Sequence, residues 1–229
     1  MSGLKRLYSD KPKISGENIH LAPEVRRRLA DVLRFKEGEL FELLTPETLY
    51  TCRLTDKLKG VSRIEGGRGV TPPAYTLAAC QCILKRGYMD SVIEKYAELG
   101  ATKIIPVISE RSINALPEKT LERYRQIAAN AALVSESEFI AEISETVSIK
   151  ELNAIEGDNI LFYGRGNNRA IPKIGGKVQF IIGAEGGFTP SELDTLKQKG
   201  FTSVTPFSGI LKAETAGTVF CGMLRALMQ

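Results

Sequence analysis

Between Ala74 and Met228, runs of residues that are apolar at nearly every position alternate with runs that are apolar on one helical face only. The first kind includes AYTLAACQCIL (74–84), TKIIPVI (102–108), DNILFYG (158–164), KVQFIIG (177–183) and FTSVTPF (201–207). The second includes YMDSVIEKYAELG (88–100), EKTLERYRQIAANAALVSE (118–136), TPSELDTLKQKG (189–200) and AETAGTVFCGMLRALM (213–228). A strand with one wet face alternates polar with apolar residues, so a continuously apolar strand is covered on both faces. Strands of that kind, separated by helices, predict an α/β domain with a largely parallel sheet, whose ligands bind at the carboxyl ends of the strands.

The first third reads differently. GENIHLA, GELFELLT, TLYTCRLTD and VSRIEGG are short strand-like segments set off by glycine, proline or charge. Between the first two, APEVRRRLADVLRFKEG predicts one helix, with Pro23 in its first turn, Val25, Leu29, Val32 and Leu33 as its apolar stripe and Gly38 at its end. The cluster GGRGVTPP (66–73) separates the two patterns. This predicts a β-rich domain over 1–70 and an α/β domain over 71–229.

Charge follows the same division. Residues 1–70 hold 14 Lys plus Arg against 10 Asp plus Glu, whereas the remainder balances at 17 against 17. The basic excess of the first module suits a nucleic-acid or other anionic partner, and equally a solvated face. No stretch of 18 apolar residues occurs and the N-terminus lacks a signal-peptide pattern, so a cytoplasmic protein with no membrane association is expected. The four cysteines, at 52, 80, 82 and 221, have no metal-site spacing and read as buried thiols. The single histidine, His20, lies in the β-rich module and reads as a surface or inter-domain residue, which leaves the α/β domain without the base of a Ser-His-Asp plan. No P-loop is present, and GRGNNR (164–169) is not followed by a clear helix, so it fails as a dinucleotide fingerprint.

Two strand-to-helix loops remain. In IIGAEGGFTPSEL (181–193), Thr189 and Glu192 form a capping-box pattern and Pro190 suits the first helical position. The preceding glycines expose backbone to a ligand and admit positive φ, and Glu185 stands alone among them. A lone carboxylate with no following Lys argues against a phosphate ligand. In TPFSGILKAETAGTVF (205–220), Ile210 and Leu211 form an apolar pair that suits the walls of a flat ligand's slot. Glu214 falls in the first turn of the next helix, where the dipole alone favours a carboxylate by about 0.3–1 kcal/mol.

KRGYMDSVIEKYAELGATKIIPVISERS, then FIIGAEGGFTPSE, then ILKAETA occur in the order found in the bacterial 16S ribosomal RNA uridine-N3 methyltransferase family, RsmE type, of the SPOUT superfamily. The chain resembles that family over nearly its whole length, including KRLYSD and DVLRFKEGE in the first module. The resemblance implies a small N-terminal PUA-like β-barrel for RNA binding. It also implies a SPOUT-type α/β domain whose C-terminal segments form a trefoil knot around S-adenosyl-L-methionine, and a homodimer that acts on 16S rRNA or the small ribosomal subunit. It assigns cofactor contacts to Ile182, Gly183, Ala184, Glu185, Gly186, Gly187, Pro206, Ile210, Leu211, Glu214 and Thr215. Glu214, Lys212 and Arg111 become the catalytic candidates, and Arg6, Arg34 and Arg86 become RNA contacts. Deprotonated uridine N3 places charge on two carbonyl oxygens, which a fixed cation such as Lys212 or Arg111 stabilises. Either Glu214 or solvent can take the proton.

The chain also departs from the family pattern. Ala184 stands where Pro is usual, Lys212 where Arg is usual, and Pro206-Phe207 where Leu-Gly is usual. ANAALVSESEF (129–139) lacks the usual Gln and carries Glu138 in place of Arg, and a basic residue is missing near Gly87. The changes in 129–139 and near Gly87 fall on the substrate side. Two alternatives therefore stand beside the methyltransferase reading: a non-catalytic RNA-binding homologue, and the same chemistry on a different RNA.

Overall fold

The computed structural model describes residues 3–112 and 116–228; the side chain of Arg86, one of the expected RNA contacts, lies outside the described residues. The chain divides into two compact units, Met1–Pro72 with Leu133–Phe139, and Pro73–Ala132 with Ile140–Gln229.

In the first unit, strands β1 (Arg6–Tyr8), β2 (Lys13–Ser15), β3 (Asn18–His20), β4 (Leu40–Leu44), β5 (Thr48–Asp56) and β6 (Val61–Gly69) form one sheet in the order β1-β4-β5-β6-β3-β2. Only β1 and β4 run parallel. Leu7, Ile19, Phe41, Leu43, Cys52 and Leu54 point from these strands into a core that Val25, Leu29 and Phe35 complete. The helix between β3 and β4 is shorter than its apolar pattern predicts. It is α-helical over Pro23–Arg27 (α1) and then widens to a π-turn over Arg28–Val32, where Leu33 N–H donates to Arg28 O at 2.9 Å. The wider turn shifts the helical phase, so Val25 and Leu29 stay buried while Val32 is 70% exposed. His20 lies on the exposed side of β3.

The second unit carries β7 (Thr76–Cys82), α2 (Arg86–Glu98), β8 (Lys103–Ile108), α3 (Glu118–Val134), β9 (Glu142–Ile143), β10 (Val147–Ser148), β11 (Asp158–Phe162), β12 (Lys177–Ile182), α4 (Pro190–Gln198), β13 (Thr202–Val204) and α5 (Ala213–Leu227). The last residues of α3 belong to the first unit. The sheet order is β10-β8-β7-β12-β11-β13, with β9 also beside β8, and every pairing is parallel. β7, β11 and β12 are buried at all but their first residue, as two covered faces require.

A polar group sits in the centre of this core. The Gln81 side chain is fully buried; its amide nitrogen donates to Cys82 O at 3.0 Å and Gly183 O at 3.4 Å, and its oxygen accepts from Tyr96 Oη at 2.7 Å. The Tyr96 ring lies edge-on to Phe180, with centroids 5.5 Å apart. Every hydrogen-bonding atom of this pair that could be costly when buried is thus engaged. All four cysteines are buried and unpaired, and burial pushes the thiols of Cys52, Cys82 and Cys221 up to about 12. Among the described residues no His, Cys, Asp and Glu group could hold a metal ion, and no helix is long and apolar enough to cross a membrane.

Candidate functional site

The carboxyl ends of β7, β12, β11 and β13 are neighbours in the sheet, and the loops leaving them enclose a cavity of about 550 Å³. The size lies within the range of about 300–1,000 Å³ usual for small-molecule sites. Its floor is aromatic. Phe162 at the end of β11 stacks on Phe220 of α5 with centroids 3.5 Å apart and planes 6° from parallel, and Phe207 leans on Phe220 at 5.8 Å.

One wall is the glycine loop after β12. Gly187 has φ +67°, a conformation that a side chain would strain, and its N–H closes the turn on Ala184 O at 2.8 Å. Thr189 and Glu192 make both capping-box bonds at the start of α4: Glu192 N–H donates to Thr189 Oγ1 at 3.3 Å, and Thr189 N–H to Glu192 Oε2 at 2.8 Å. Glu192 does more than cap. Its other oxygen accepts from Glu110 N–H at 2.7 Å, so this buried carboxylate ties the loop after β8 to the loop after β12. Arg111, the next residue, donates to Gly186 O at 2.8 Å and Phe188 O at 3.5 Å, with its aliphatic stem packed against Gly186. Glu185 faces the cavity and accepts from Lys85 N–H at 3.2 Å, which joins the glycine loop to the turn before α2.

The opposite wall is the loop between β13 and α5. Pro206, Ile210, Leu211, Lys212 and Glu214 all line the cavity. This wall is held from behind by GRGNNR, the segment to which the sequence assigned no role. Arg169 Nη1 donates to Thr205 O at 3.1 Å and to Phe207 O, Asn168 Nδ2 donates to Ser203 O at 2.9 Å, and Thr205 N–H donates to Asn168 O at 2.6 Å.

The structure therefore gathers Ile182, Gly183, Ala184, Glu185, Gly186, Gly187, Pro206, Ile210, Leu211, Lys212 and Glu214 around one cavity. Thr215 and Arg111 do not line it; Arg111 acts on the loop that does. Arg6 and Arg34 belong to the other unit. The Arg6 side chain is 11% exposed and bound to Glu42 at 2.7 Å and to Ser137 O at 3.0 Å. Arg34 is exposed, with φ 54°. Lys85, Tyr88, Phe162, Tyr163, Arg165 and Phe207 line the cavity without having been expected there. Their common signal is position: each ends or follows β7, β11 or β13, at the carboxyl ends of parallel strands where such sheets bind ligands.

The substituted segment 129–139 is explained in part. Its end, Leu133–Phe139, belongs to the first unit, where Arg68 grips Glu138 through two nitrogens at 2.6 Å each. The unusual acidic residue has an intramolecular basic partner.

Residues 71–225 match the family model described as RNA methyltransferase domain. Ribosomal RNA small subunit methyltransferase E of Mesomycoplasma hyopneumoniae (strain 232) is 29% identical over 208 residues, 87% of this chain and 91% of the relative. The protein of the same description from Aquifex aeolicus (strain VF5) is 27% identical over 194 residues, 81% of this chain and 84% of that one. Among solved structures, the Neisseria gonorrhoeae ribosomal RNA small subunit methyltransferase E, bound to S-adenosyl methionine, superposes with a TM-score of 0.86 at 25% identity over 98% of both chains. A Legionella pneumophila protein with bound SAM gives 0.88 at 25% identity over 97% of both.

Proposed function

Because the chain belongs to the RNA methyltransferase domain family, we propose that it transfers a methyl group from S-adenosylmethionine to N3 of a uridine in the 16S RNA of the small ribosomal subunit. The observation that carries this reading is the meeting of two loops, separated in the chain by α4 and β13, on one cavity of about 550 Å³ with an aromatic floor and two carboxylates. The residues present fit the cofactor. An adenine suits the slot between Ile182, Leu211 and the Phe162–Phe220 stack, and the backbone of the glycine loop that lines the cavity offers polar partners for its edge. Glu185 and Glu214 place negative charge beside a cationic ligand.

When bound, S-adenosylmethionine supplies a methyl group activated by a positive sulfur. The protein must then present uridine N3 without its proton. Lys212 donates to a uracil carbonyl oxygen and stabilises the anion spread over N3 and its flanking carbonyls. Glu214, in the first turn of α5, or a water beside it, takes the N3 proton. Arg111 acts one step back by fixing the carbonyls of the glycine loop. Lys212 offers a point charge where the family's usual Arg would offer a planar fork, so one carbonyl oxygen is its natural target.

Finer features belong to the same reading. The hydrogen bonds of 168–169 to 203–207 support a trefoil knot in which these segments pass one another. The six-stranded sheet of the first unit supports a PUA-like barrel that binds RNA. Exposed Ala226 and Leu227 and half-buried Val219 and Met223 on α5 support a homodimer. A cytoplasmic location follows from a ribosomal substrate.

The test is mass-spectrometric mapping of modified nucleosides in ribosomal RNA from cells lacking the gene and from complemented cells. Loss and restoration of one N3-methyluridine is expected. An unchanged profile would overturn the proposal, and calorimetry with S-adenosylmethionine would then separate a silent RNA-binding homologue from an enzyme for another RNA.

A further inference from the structure

The cavity holds more cationic and aromatic surface than a methyl donor requires. Lys85, Arg165 and Lys212 line it, all three are exposed, and none has an ion-pair partner among the described residues. Glu185 balances none of them directly, since the bond shown for its carboxylate is from a backbone N–H. Tyr88 stands in the same wall. It is 45% exposed, its ring stacks on no other ring, and its hydroxyl has no hydrogen-bond partner among the described residues. A single exposed aromatic is ordinary. This one lines a cavity beside three unpaired cations.

Its mounting is rigid. Tyr88 sits in the first turn of α2, where the next residue, Met89, and then Val92, Ile93, Tyr96 and Ala97 are buried in the core. Asp90 is bonded to Arg123 of α3 at 2.5 Å. The ring is therefore held in the cavity lining by a helix anchored in the core, while close to half of the residue stays exposed. Phe207 does not share this property, because it leans on Phe220 as part of the floor. An uncovered ring next to uncompensated cations matches a single-stranded nucleotide, whose base offers a flat face and whose phosphates offer negative charge. An enzyme that reaches a base atom has to hold that base out of its stack.

We propose that Tyr88 is the stacking platform for the target base, with Lys85 and Arg165 contacting the phosphates that flank it. The inference rests on the methyltransferase reading above and names the substrate subsite of that cavity. Stacking has no need of the hydroxyl, and it carries no net charge. These two properties make it distinguishable from a hydrogen bond and from a phosphate contact.

The experiment measures filter binding of small ribosomal subunits, purified from cells lacking the gene, at several KCl concentrations, together with calorimetric binding of S-adenosylmethionine. It compares wild type, Tyr88→Phe, Tyr88→Ala and Lys85→Ala. Tyr88→Ala is expected to weaken subunit binding roughly 5- to 150-fold at every salt concentration, with the salt slope unchanged. Tyr88→Phe should stay within about twofold of wild type, because the aromatic face that stacks is kept. Lys85→Ala should reduce the salt slope by about 0.7–0.9, the value of one phosphate contact. Cofactor affinity should not change in either Tyr88 variant. Wild-type subunit affinity in Tyr88→Ala would overturn the proposal, as would equal damage from Tyr88→Phe or a loss confined to cofactor binding. Failure of the wild-type protein to bind S-adenosylmethionine would instead bring down the methyltransferase reading, and this inference with it.

Discussion

The hydroxyl of Tyr96 occupies the space that any side chain at Gly217 would need: a Cβ there would collide with the Tyr96 oxygen and lie 3.0 Å from the ring carbon that bears it. The contact joins α2 to α5, and through Gln81 it reaches the carbonyl of Gly183 in the cavity wall.

Gly217→Ala should therefore destabilise the protein by about 1–3 kcal/mol through overpacking, read as a lower urea midpoint. In Tyr96→Phe the oxygen is gone, at the cost of an unpaired Gln81 acceptor. The double variant Tyr96→Phe/Gly217→Ala should lose less than the sum of the two single variants, because the worst of the clash, with the Tyr96 oxygen, is gone while the ring carbon 3.0 Å away remains. Strict additivity would show that the two positions do not compete for the same space.

Glu214 has two roles to separate. If it is only a favourable charge in the first turn of α5, Glu214→Gln changes stability by about 0.3–1 kcal/mol and leaves turnover near wild type. We expect instead that Glu214→Ala and Glu214→Gln retain the fold by circular dichroism but lower methyl transfer to small subunits by on the order of 10²-fold or more.

Arg169 holds the carbonyls of Thr205 and Phe207 from outside the cavity. Hydrogen bonds from a charged donor contribute about 1.5–3 kcal/mol, and here they fix the wall that carries Pro206, Ile210 and Leu211. Arg169→Ala should raise the Kd for S-adenosylmethionine about tenfold by calorimetry. An unchanged Kd would mean that the wall holds its shape without this residue.

The Arg68–Glu138 pair makes a prediction about pH. The hydrogen bond from Arg68 holds the Glu138 carboxyl below its ordinary value of 4.5. A carboxylate whose folded value is depressed stabilises the protein above its unfolded value, and that contribution is lost as pH falls through the folded one. Both side chains are about half exposed, so the contribution is screened to about 0–1 kcal/mol. The difference in urea midpoint between wild type and Glu138→Gln should be small at pH 7 and should vanish as pH falls below 4.5 through the lowered folded value. A difference that grew in acid would contradict this assignment.

Much of the architecture was legible before any coordinate, because its causes are local. The continuous apolar runs of β7, β11 and β12 can only be strands covered on both faces, and the structure buries them at all but their first residue. The capping box of Thr189 and Glu192 marks the start of α4 within four residues of sequence. The loops 182–187 and 206–214 stood out in the sequence because glycine, a lone carboxylate and an apolar pair are out of place in a plain turn, and the structure lines one cavity with both. The α1 stripe misled at Val32, since the widening to a π-turn leaves no mark on periodicity.

The class of fold, the order of the main elements and the position of two loops that line the cavity were readable from residues close together in the chain. Only the folded chain brings these loops into one cavity with Lys85, Tyr88 and Arg165, sets Arg169 to brace a wall 38 residues away, and pairs Glu138 with Arg68 across 70 residues. Such pairings depend on which strand ends lie side by side in the sheet and on how the chain returns to them. Periodicity carries no record of either, because it reports only what each segment does with its own neighbours.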